Sequence, residues 1–250
     1  MRNLFRICVA AAALLAGPAF AADLPVPAKA VPYTFNGYPF GSSGFYAGIL
    51  TEAGAGPVVA SAPVVGVAPA SLTTTTAGIG MNFGYSWGSK TSMFAYALEG
   101  KVTANNFNGA NAGFSVSGPI SAEGTALVWT PVSTIQTAFG LLNLPNPFNN
   151  IAPFPLLPVG VTASNVHAGF GAGFRAEDVT VAYLGVGSNK VWNFAPKIEF
   201  DLMEQLSNGS AVREYVETVF ENKGIVFGGN SIPINATVGT KYLAGVAVEF

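Results

Sequence analysis

This chain of 250 residues carries little charge and almost no cysteine. Charged residues make up 10% of it and its mean hydropathy is +0.43, whereas ordinary soluble domains are about 25% charged. Cys8 is the one cysteine and His167 the one histidine, so we predict no disulfide, no cofactor and no metal. Eleven basic residues against thirteen acidic ones argue against a nucleic-acid partner, because phosphate neutralisation needs clusters of Lys and Arg.

An apolar helix long enough to cross a bilayer is missing as well. Such a helix needs about 20 consecutive apolar residues, and the uncharged stretch 53–76 is interrupted by Pro57, Pro63 and Pro69. Proline at that density breaks helices. The composition is therefore typical of a membrane protein without membrane helices, and a β-barrel is the other structure that satisfies every backbone group in lipid.

The N-terminal segment has the features of an export signal. Two arginines lie within the first six residues, an apolar run covers 7–16, and Ala-Phe-Ala at 19–21 supplies the small residues of a cleavage site. We predict a signal peptide over 1–21, exported through the Sec pathway. The following segment, 22–43, carries four prolines and is predicted to be an extended periplasmic leader.

The clearest structural pattern is a hairpin between residues 78 and 102. Side chains alternate across a strand, and in 78–87 every second residue is large and apolar while the others are small or polar. The pattern resumes with reversed parity in 94–102, after a turn at 88–91. A large aromatic face suits lipid and a small or charged face suits a narrow lumen, so the hairpin favours a membrane barrel. A soluble exported β-sandwich or lipocalin-like binder is the alternative, because its strands alternate too.

Ten segments with this strand pattern predict an all-β, membrane-spanning, antiparallel up-and-down barrel over 44–250, with eight strands as the alternative. They are 45–52, 78–87, 94–102, 122–130, 133–141, 165–175, 179–187, 192–202, 212–220 and 237–250. Residues 175–178 are interpreted as a tight turn between two of these strands. Short turns alternate with longer connections, as in outer-membrane barrels. The predicted surface loops lie near 53–75, 104–121, 142–163 and 223–235.

The parity of the strands places charged side chains inside the barrel. Barrels of about eight strands have interiors filled by side chains, and an unpaired buried charge is expensive, so we expect opposite charges to pair. Two interpretations stay open: a salt-bridged plug that holds the barrel together, and a narrow, gated pore for small solutes. The predicted lumen network consists of Glu99, Lys101, His167, Arg175, Lys197, Glu199, Asp201, Arg213, Glu217, Lys241 and Glu249.

Several short motifs resemble those of small outer-membrane barrel proteins from alphaproteobacteria. They are Ala-Ala-Asp-Leu-Pro-Val-Pro at 21–27, Gly-Phe-Tyr-Ala-Gly at 44–48, Gly-Tyr-Ser-Trp at 84–87 and Leu-Glu-Gly at 98–100. That family is labelled porin-like or opacity-type surface antigen and is related in fold to the OmpA membrane domain. The resemblance covers 21–104 and 236–250, and it implies a location in the outer membrane of a Gram-negative cell envelope.

The last predicted strand ends in an aromatic residue preceded by alternate apolar residues. This pattern resembles the signal by which barrel-assembly machinery recognises its clients. The residues expected to carry it are Tyr242, Val246, Val248 and Phe250.

Together these features predict a non-enzymatic outer-membrane barrel with a structural or surface-interaction role. A narrow porin-like channel for small solutes is one alternative, and a lipid-modifying barrel enzyme built on His167 is another. The expected partners are outer-membrane lipid, lipopolysaccharide and the barrel-assembly machinery. An extracellular ligand or host surface is a further candidate, contacted through the surface loops.

Overall fold

The computed structural model describes residues 43–250 apart from 62–69, 89–93, 112, 142–165, 184–186, 207–209, 222–223 and 229–232. The predicted signal peptide, nearly all of the predicted leader and the predicted loop 142–163 lie outside the described residues. Within the described residues, no helix is long and apolar enough to cross a membrane.

Ten strands and one short helix follow one another along the described chain. They are β1 (Gly44–Ser61), β2 (Ala70–Trp87), β3 (Ala95–Asn111), β4 (Phe114–Pro131), α1 (Val132–Leu141), β5 (Val166–Tyr183), β6 (Gly187–Gln205), β7 (Ala211–Val219), β8 (Gly224–Gly228), β9 (Pro233–Val238) and β10 (Lys241–Glu249).

The strands form one antiparallel wall that closes on itself. Each of β1 to β6 pairs with the next strand, β7 pairs with β10, and β10 pairs with β1, where Ile49 lies opposite Val248. Beyond β10, β1 pairs with β9, and β9 pairs with β8. β7 and β8 are thus two segments of the seventh wall strand, and β9 and β10 are two segments of the eighth. The barrel has eight strands, so the ten-strand prediction is wrong and the eight-strand alternative is confirmed.

One surplus strand came from the polar residues 175–178, which were predicted to form a turn. β5 instead runs without interruption through them, and Arg175 lies opposite Ala195 of β6. These residues resemble a turn because they are polar and consecutive. Their polarity has another cause, since Arg175 and Glu177 are buried on the inward face of the wall.

The other surplus strand came from residues 133–141, which belong to α1. Val132 and Ile135 are spaced one helical turn apart, and they pack against Val166 and Ala168 at the start of β5. Val166 and Ala168 lie on the same face of β5 as Phe170, which is exposed on the outside of the barrel. α1 therefore covers the outside of the barrel wall rather than extending the wall.

Three predicted surface loops are much shorter than expected because strands run through them. β1 and β2 pair as far as Ala60 and Ala70, so most of 53–75 is strand. β3 and β4 pair as far as Asn111 and Phe114, which reduces 104–121 to a tight turn, where Gly113 has a φ of 82° that favours glycine. β8 and β9 occupy much of 223–235.

The predicted loop 142–163 also joins the barrel at an unexpected end. Phe250 and Ala47 exchange backbone hydrogen bonds of 2.9 and 3.3 Å, and we call this the terminal end. The opposite end, where Asn111 meets Phe114, is the far end. β4 finishes and β5 begins at the terminal end, where Pro131 lies opposite His167. The chain therefore leaves α1 and enters β5 on the side opposite to the far-end connections, and the prediction that 142–163 belongs with those loops is wrong.

Candidate functional site: the filled lumen

The lumen is filled by three layers of buried side chains. An apolar layer lies at the terminal end and consists of Tyr46, Ala95, Ala97, Leu127, Trp129, Met203 and Ala211. A second apolar layer, the far-end cap, consists of Val58, Ala60, Ala70, Leu72, Phe107, Phe114, Val116, Val179, Val181 and Val238. Charged side chains lie between the two apolar layers.

The middle layer contains fourteen charged side chains, none of them more than 8% exposed. They come from seven of the eight wall strands, and we refer to them as the lumen network. Its members are Glu52, Glu99, Lys101, Glu123, Arg175, Glu177, Lys197, Glu199, Asp201, Arg213, Glu217, Glu221, Lys241 and Glu249.

Arg175 is the most highly connected member of the lumen network. Its Nε donates to Glu177 at 2.7 Å, its Nη2 donates to Glu52 at 2.7 Å, and its Nη1 donates to Glu217 at 3.2 Å and to Glu123. These carboxylates belong to β5, β1, β7 and β4. One guanidinium therefore joins four wall strands across the lumen, which its planar set of five donors allows.

Lys197 occupies the centre of three carboxylates. Its Nζ donates to Glu199 at 2.8 Å, to Glu217 at 2.9 Å and to Glu123. Oxygens of these three glutamates lie within 4.8 Å of one another, a spacing that suits a metal ion. Because the Lys197 ammonium already contacts all three, the trio can take a metal only if Lys197 is displaced.

A second ion-pair group lies nearer the terminal end, around Arg213. Its Nη2 donates to Glu99 at 2.8 Å, and its Nε lies 3.1 Å from Glu249. Asn82 donates to both carboxylates, at 3.1 Å to Glu99 and 2.7 Å to Glu249, and the Tyr46 hydroxyl donates to Glu99 at 2.9 Å. Asn82 supplies the polar contact from β2, which contributes no charge to the network.

Lys241 joins the charged layer to the far-end cap. Its Nζ donates to Glu177 and lies 3.2 Å from Glu221. The same Nζ lies 3.8 Å from the centroid of the Phe107 ring, an arrangement that is attractive for a cation over an aromatic face. The ionic and apolar layers are therefore in direct contact and leave no separate chamber at this point.

Carboxylates outnumber cations in the lumen network, nine to five. Asp201 shows the imbalance most clearly, because its nearest cation is the Arg213 Nε at 3.7 Å and neither of its oxygens accepts a hydrogen bond from the described residues. Cations are the scarce component, so losing one should cost more than losing one carboxylate.

The packing of these layers closes the lumen. A water-filled pore leaves its lining side chains in contact with water, whereas Arg175, Arg213 and Lys241 are each 0% exposed. The network joins the strands across the barrel, and the two apolar layers cover it from both ends. This arrangement suits a barrel held together from inside.

Comparison with known proteins gives matches among solved structures only. No family model matches the sequence, and no similar sequence is found among curated proteins. The fold is similar to those of outer-membrane barrel proteins. Ail of Yersinia pestis is 9% identical, with 82% of this chain and 98% of Ail covered and a TM-score of 0.36. OprG from Pseudomonas aeruginosa is 9% identical (84% and 96% covered, TM-score 0.43), and AlkL is 12% identical (92% and 96%, TM-score 0.49).

All eleven residues predicted for the lumen network are buried on the inward side of the wall. Ten of them belong to the charged layer. His167 lies outside the charged layer, at the terminal end of the barrel, opposite Pro131 of β4 and Met203 of β6. The residues predicted as an assembly signal lie on the outward face: Tyr242 and Phe250 are exposed, and Val246 and Val248 are half-buried.

The predicted network leaves out four members of the observed one, Glu52, Glu123, Glu177 and Glu221. Glu177 lies two residues after Arg175 and Glu221 lies four after Glu217, so both continue the inward parity of a residue in the predicted network. For these two residues the parity signal was present, but the assumed turn at 175–178 and the assumed end of a strand at residue 220 cut it off; Glu123 lay inside the predicted strand 122–130 and was not assigned a face.

Inward aromatic side chains lie over glycines on the neighbouring strand. In each case the glycine is the direct register partner of the aromatic residue, so a methyl group added to it would meet the ring. The absent side chain makes room for the ring in a narrow lumen. The pairs are Tyr46 with Gly84, Trp129 with Gly169, and Tyr215 with Gly245.

Proposed function

We propose that this protein is an outer-membrane barrel with a closed lumen and a structural or surface-interaction role. The filled lumen carries the proposal, because the fourteen charged side chains of its middle layer are buried and paired and lie between two apolar layers. In this proposal the charged interior strengthens the wall, and contacts with lipid and with partners are made by the outer surface of the barrel. The resemblance to porin-like and opacity-type surface antigens supports the same class of role.

The outward face supports a membrane location. Many large apolar side chains on the outward face of the described strands are 40% or more exposed, which is typical of contact with lipid. Glu214 is an exception on β7, since it is half-buried on the outward parity opposite Leu202. The exposed set includes Phe45, Ile79, Met81, Phe83, Tyr96, Leu98, Val102, Ile120, Phe170, Phe174, Trp192, Phe194, Ile198 and Tyr242.

Towards the far end the outward side chains become polar. Thr75, Asn108 and Ser117 lie side by side on three neighbouring strands and are exposed. A strand of 18 residues rises about 45 Å at a tilt of ~40°, against an apolar band about 25 Å tall. The barrel wall therefore extends beyond the lipid by about 20 Å, and we propose that this extension is the outer surface presented to partners.

The inward position of His167 argues against the lipid-modifying alternative. An enzyme acting on acyl chains needs its catalytic histidine on the lipid-facing side of the wall. His167 is instead 5% exposed at the terminal end of the lumen, so the non-enzymatic role is the one we propose.

We expect the purified protein not to conduct. Proteoliposomes that contain it should resist swelling in small sugars to the same extent as empty liposomes, and planar bilayers should show no steady conductance above background. Proteoliposomes containing a large open porin provide the positive control. Steady, protein-dependent conductance or sugar uptake would replace the closed-lumen proposal with the narrow-channel alternative.

Deletion of Phe250 is expected to impair assembly. The intact chain should appear in the outer-membrane fraction and migrate differently on a gel with and without heating, whereas the truncated chain should lose most of this heat-modifiable form. Val212→Ala, on the outward face of β7, controls for the loss of one apolar side chain. Normal insertion of the truncated chain would contradict the assembly role, and an intact chain in the soluble fraction would contradict the membrane location.

A further inference from the structure

One carboxyl group of the lumen network, that of Asp201, has little to compensate a negative charge. Asp201 is 0% exposed, and neither of its oxygens accepts a hydrogen bond from the described residues. Its nearest cation among these residues is the Arg213 Nε at 3.7 Å. Every other carboxylate of the network lies within 3.2 Å of a Lys or Arg nitrogen. A buried charge without a close counter-charge is costly.

Arg213 cannot approach Asp201 without weakening contacts that it already makes. Its Nη2 donates to Glu99 at 2.8 Å, and its Nε lies 3.1 Å from Glu249. One guanidinium carries one positive charge, and two carboxylates closer than Asp201 already share it. Asp201 is therefore left without a cation of its own in this part of the lumen.

The other side chains around Asp201 do not change this balance. Its register partners are Tyr215 on β7 and Gly169 on β5, and His167 lies two residues before Gly169 on the same inward face of β5. The Lys101 ammonium on β3 acts on Asp201 from across the lumen, but it lies 2.6 Å from another carboxylate. The surroundings of Asp201 thus contain a phenol, an imidazole and a cation that is engaged elsewhere.

The closest acidic neighbour of Asp201 is Glu199, on the same inward face of β6. Their carboxyl groups are close enough for a hydrogen bond between them. Two ionised carboxylates only accept hydrogen bonds and repel each other at this range, so the contact is attractive only when one of them carries a proton. Glu199 has two cations to compensate its charge, Lys101 at 2.6 Å and Lys197 at 2.8 Å. Asp201 has none so close, and it is the better place for the proton.

A metal ion fits the surroundings of Asp201 less well than a proton does. Among the described residues, the carboxylates spaced to hold a metal are Glu123, Glu199 and Glu217, and Asp201 is not one of them. A metal requires several oxygen ligands that converge on one point. A proton requires one acceptor, and Glu199 supplies it.

We propose that the lumen contains a proton-binding site in which Asp201 is a neutral carboxylic acid and donates a hydrogen bond to the ionised Glu199. A carboxylic acid that its surroundings keep neutral can serve as a hydrogen-bond donor. The bound proton also reduces the surplus of negative charge in the lumen network. The inference rests on the closed lumen of the proposed function, because water around Asp201 would stabilise its ionised form.

Carbon-13 NMR of aspartate side chains tests the proposal directly, because the chain has only three aspartates, Asp23, Asp178 and Asp201. The full-length chain is labelled with ¹³C at the aspartate carboxyl carbon and reconstituted in phosphatidylcholine bilayers at neutral pH. We expect one resonance at the position of a protonated acid, and Asp201→Asn should abolish it. Asp178→Asn is the matched control and should leave it in place, because Asp178 forms an ion pair of 2.8 Å with Lys190.

Glu199→Gln tests the acceptor of the proton. A glutamine amide donates hydrogen bonds and can bind an ionised Asp201, so the Asp201 resonance should shift to the position of a carboxylate. An unshifted resonance in Glu199→Gln would overturn the assignment of Glu199 as the acceptor.

The unsubstituted protein gives the decisive result, which does not depend on whether a variant folds. An Asp201 resonance at the carboxylate position would overturn the proton-binding site. Swelling of proteoliposomes, measured on the same preparation, tests the closed lumen separately. An ionised Asp201 in a barrel that does not conduct would therefore remove the proton-binding site and leave the proposed function standing.

Discussion

Replacing Arg175 with methionine is expected to lower the free energy of unfolding by about 3–5 kcal/mol, the cost of breaking a buried ion-pair network from one side. Arg175 contacts Glu52, Glu123, Glu177 and Glu217. Without it, the negative charge of these four buried carboxylates is less well compensated. The surplus of carboxylates in the network makes the loss more severe, because the remaining cations already contact several carboxylates each.

Unfolding by urea in lipid bilayers, followed by tryptophan fluorescence, measures this effect. Lys190→Met is the matched comparison, because Lys190 makes one ion pair, of 2.8 Å with the buried Asp178, and its own side chain is 63% exposed. It should cost less than Arg175→Met, which removes the partner of four buried carboxylates. Arg175→Lys should lie between the two, since it keeps the charge and loses the planar fork. A loss of less than about 1 kcal/mol for Arg175→Met would show that the network does not hold the wall together.

The inward positions of most network residues were predictable because parity along a strand is a local property. Lys197, Glu199 and Asp201 alternate with exposed Ile198 and half-buried Phe200, so once the strand is recognised its two faces follow. The same reasoning identified Arg213 and Glu217 on β7. Parity does not reveal which carboxylate contacts which cation. Arg175 and Glu52, for example, are 123 positions apart in the sequence, and they meet only because the barrel closes.

The strand count was not predictable in the same way, because two short segments gave misleading local patterns. Residues 175–178 are polar because they point into the charged layer, yet consecutive polar residues also indicate a turn. Residues 133–141 alternate weakly, but the spacing of Val132 and Ile135 fits a helix that packs outside the wall. Each error adds one strand and reverses the direction of the chain. The connection 142–163 lies between the two errors, so it was assigned to the wrong end while later strands regained their correct direction.

The proposal of a closed lumen depends on the two apolar layers, which were not predicted from the sequence. Most residues of the far-end cap were assigned to loops, including Val58, Leu72, Phe107 and Phe114. Once β1 to β4 are extended through those predicted loops, these side chains fall on the inward parity. Because the strands are long enough to include these residues, apolar side chains cover the charged layer at the far end, which favours the closed barrel.

Replacing Gly245 with alanine is expected to lower the free energy of unfolding by about 1–3 kcal/mol, the usual cost of overpacking a filled interior. The new methyl group would meet the ring of Tyr215, the register partner of Gly245, and the backbone carbonyl of Thr51. The ring has little room to move away, because it is 2% exposed and the Lys101 ammonium lies 4.0 Å from its centroid on the network side. Moving the ring would also disturb the contacts of Lys101 with Glu199.

Gly124→Ala is the matched control, because Gly124 also lies within a wall strand and a methyl group there meets nothing within 4 Å. It should change the free energy of unfolding by no more than about 0.5 kcal/mol. Combining Gly245→Ala with Tyr215→Leu should recover part of the loss, since the smaller side chain leaves space for the methyl group. Equal effects of Gly245→Ala and Gly124→Ala would mean that the lumen is loosely packed around Tyr215. That result would weaken the closed-lumen argument at its most direct structural point, because a lumen that accepts an extra methyl group beside a buried ring has room for water.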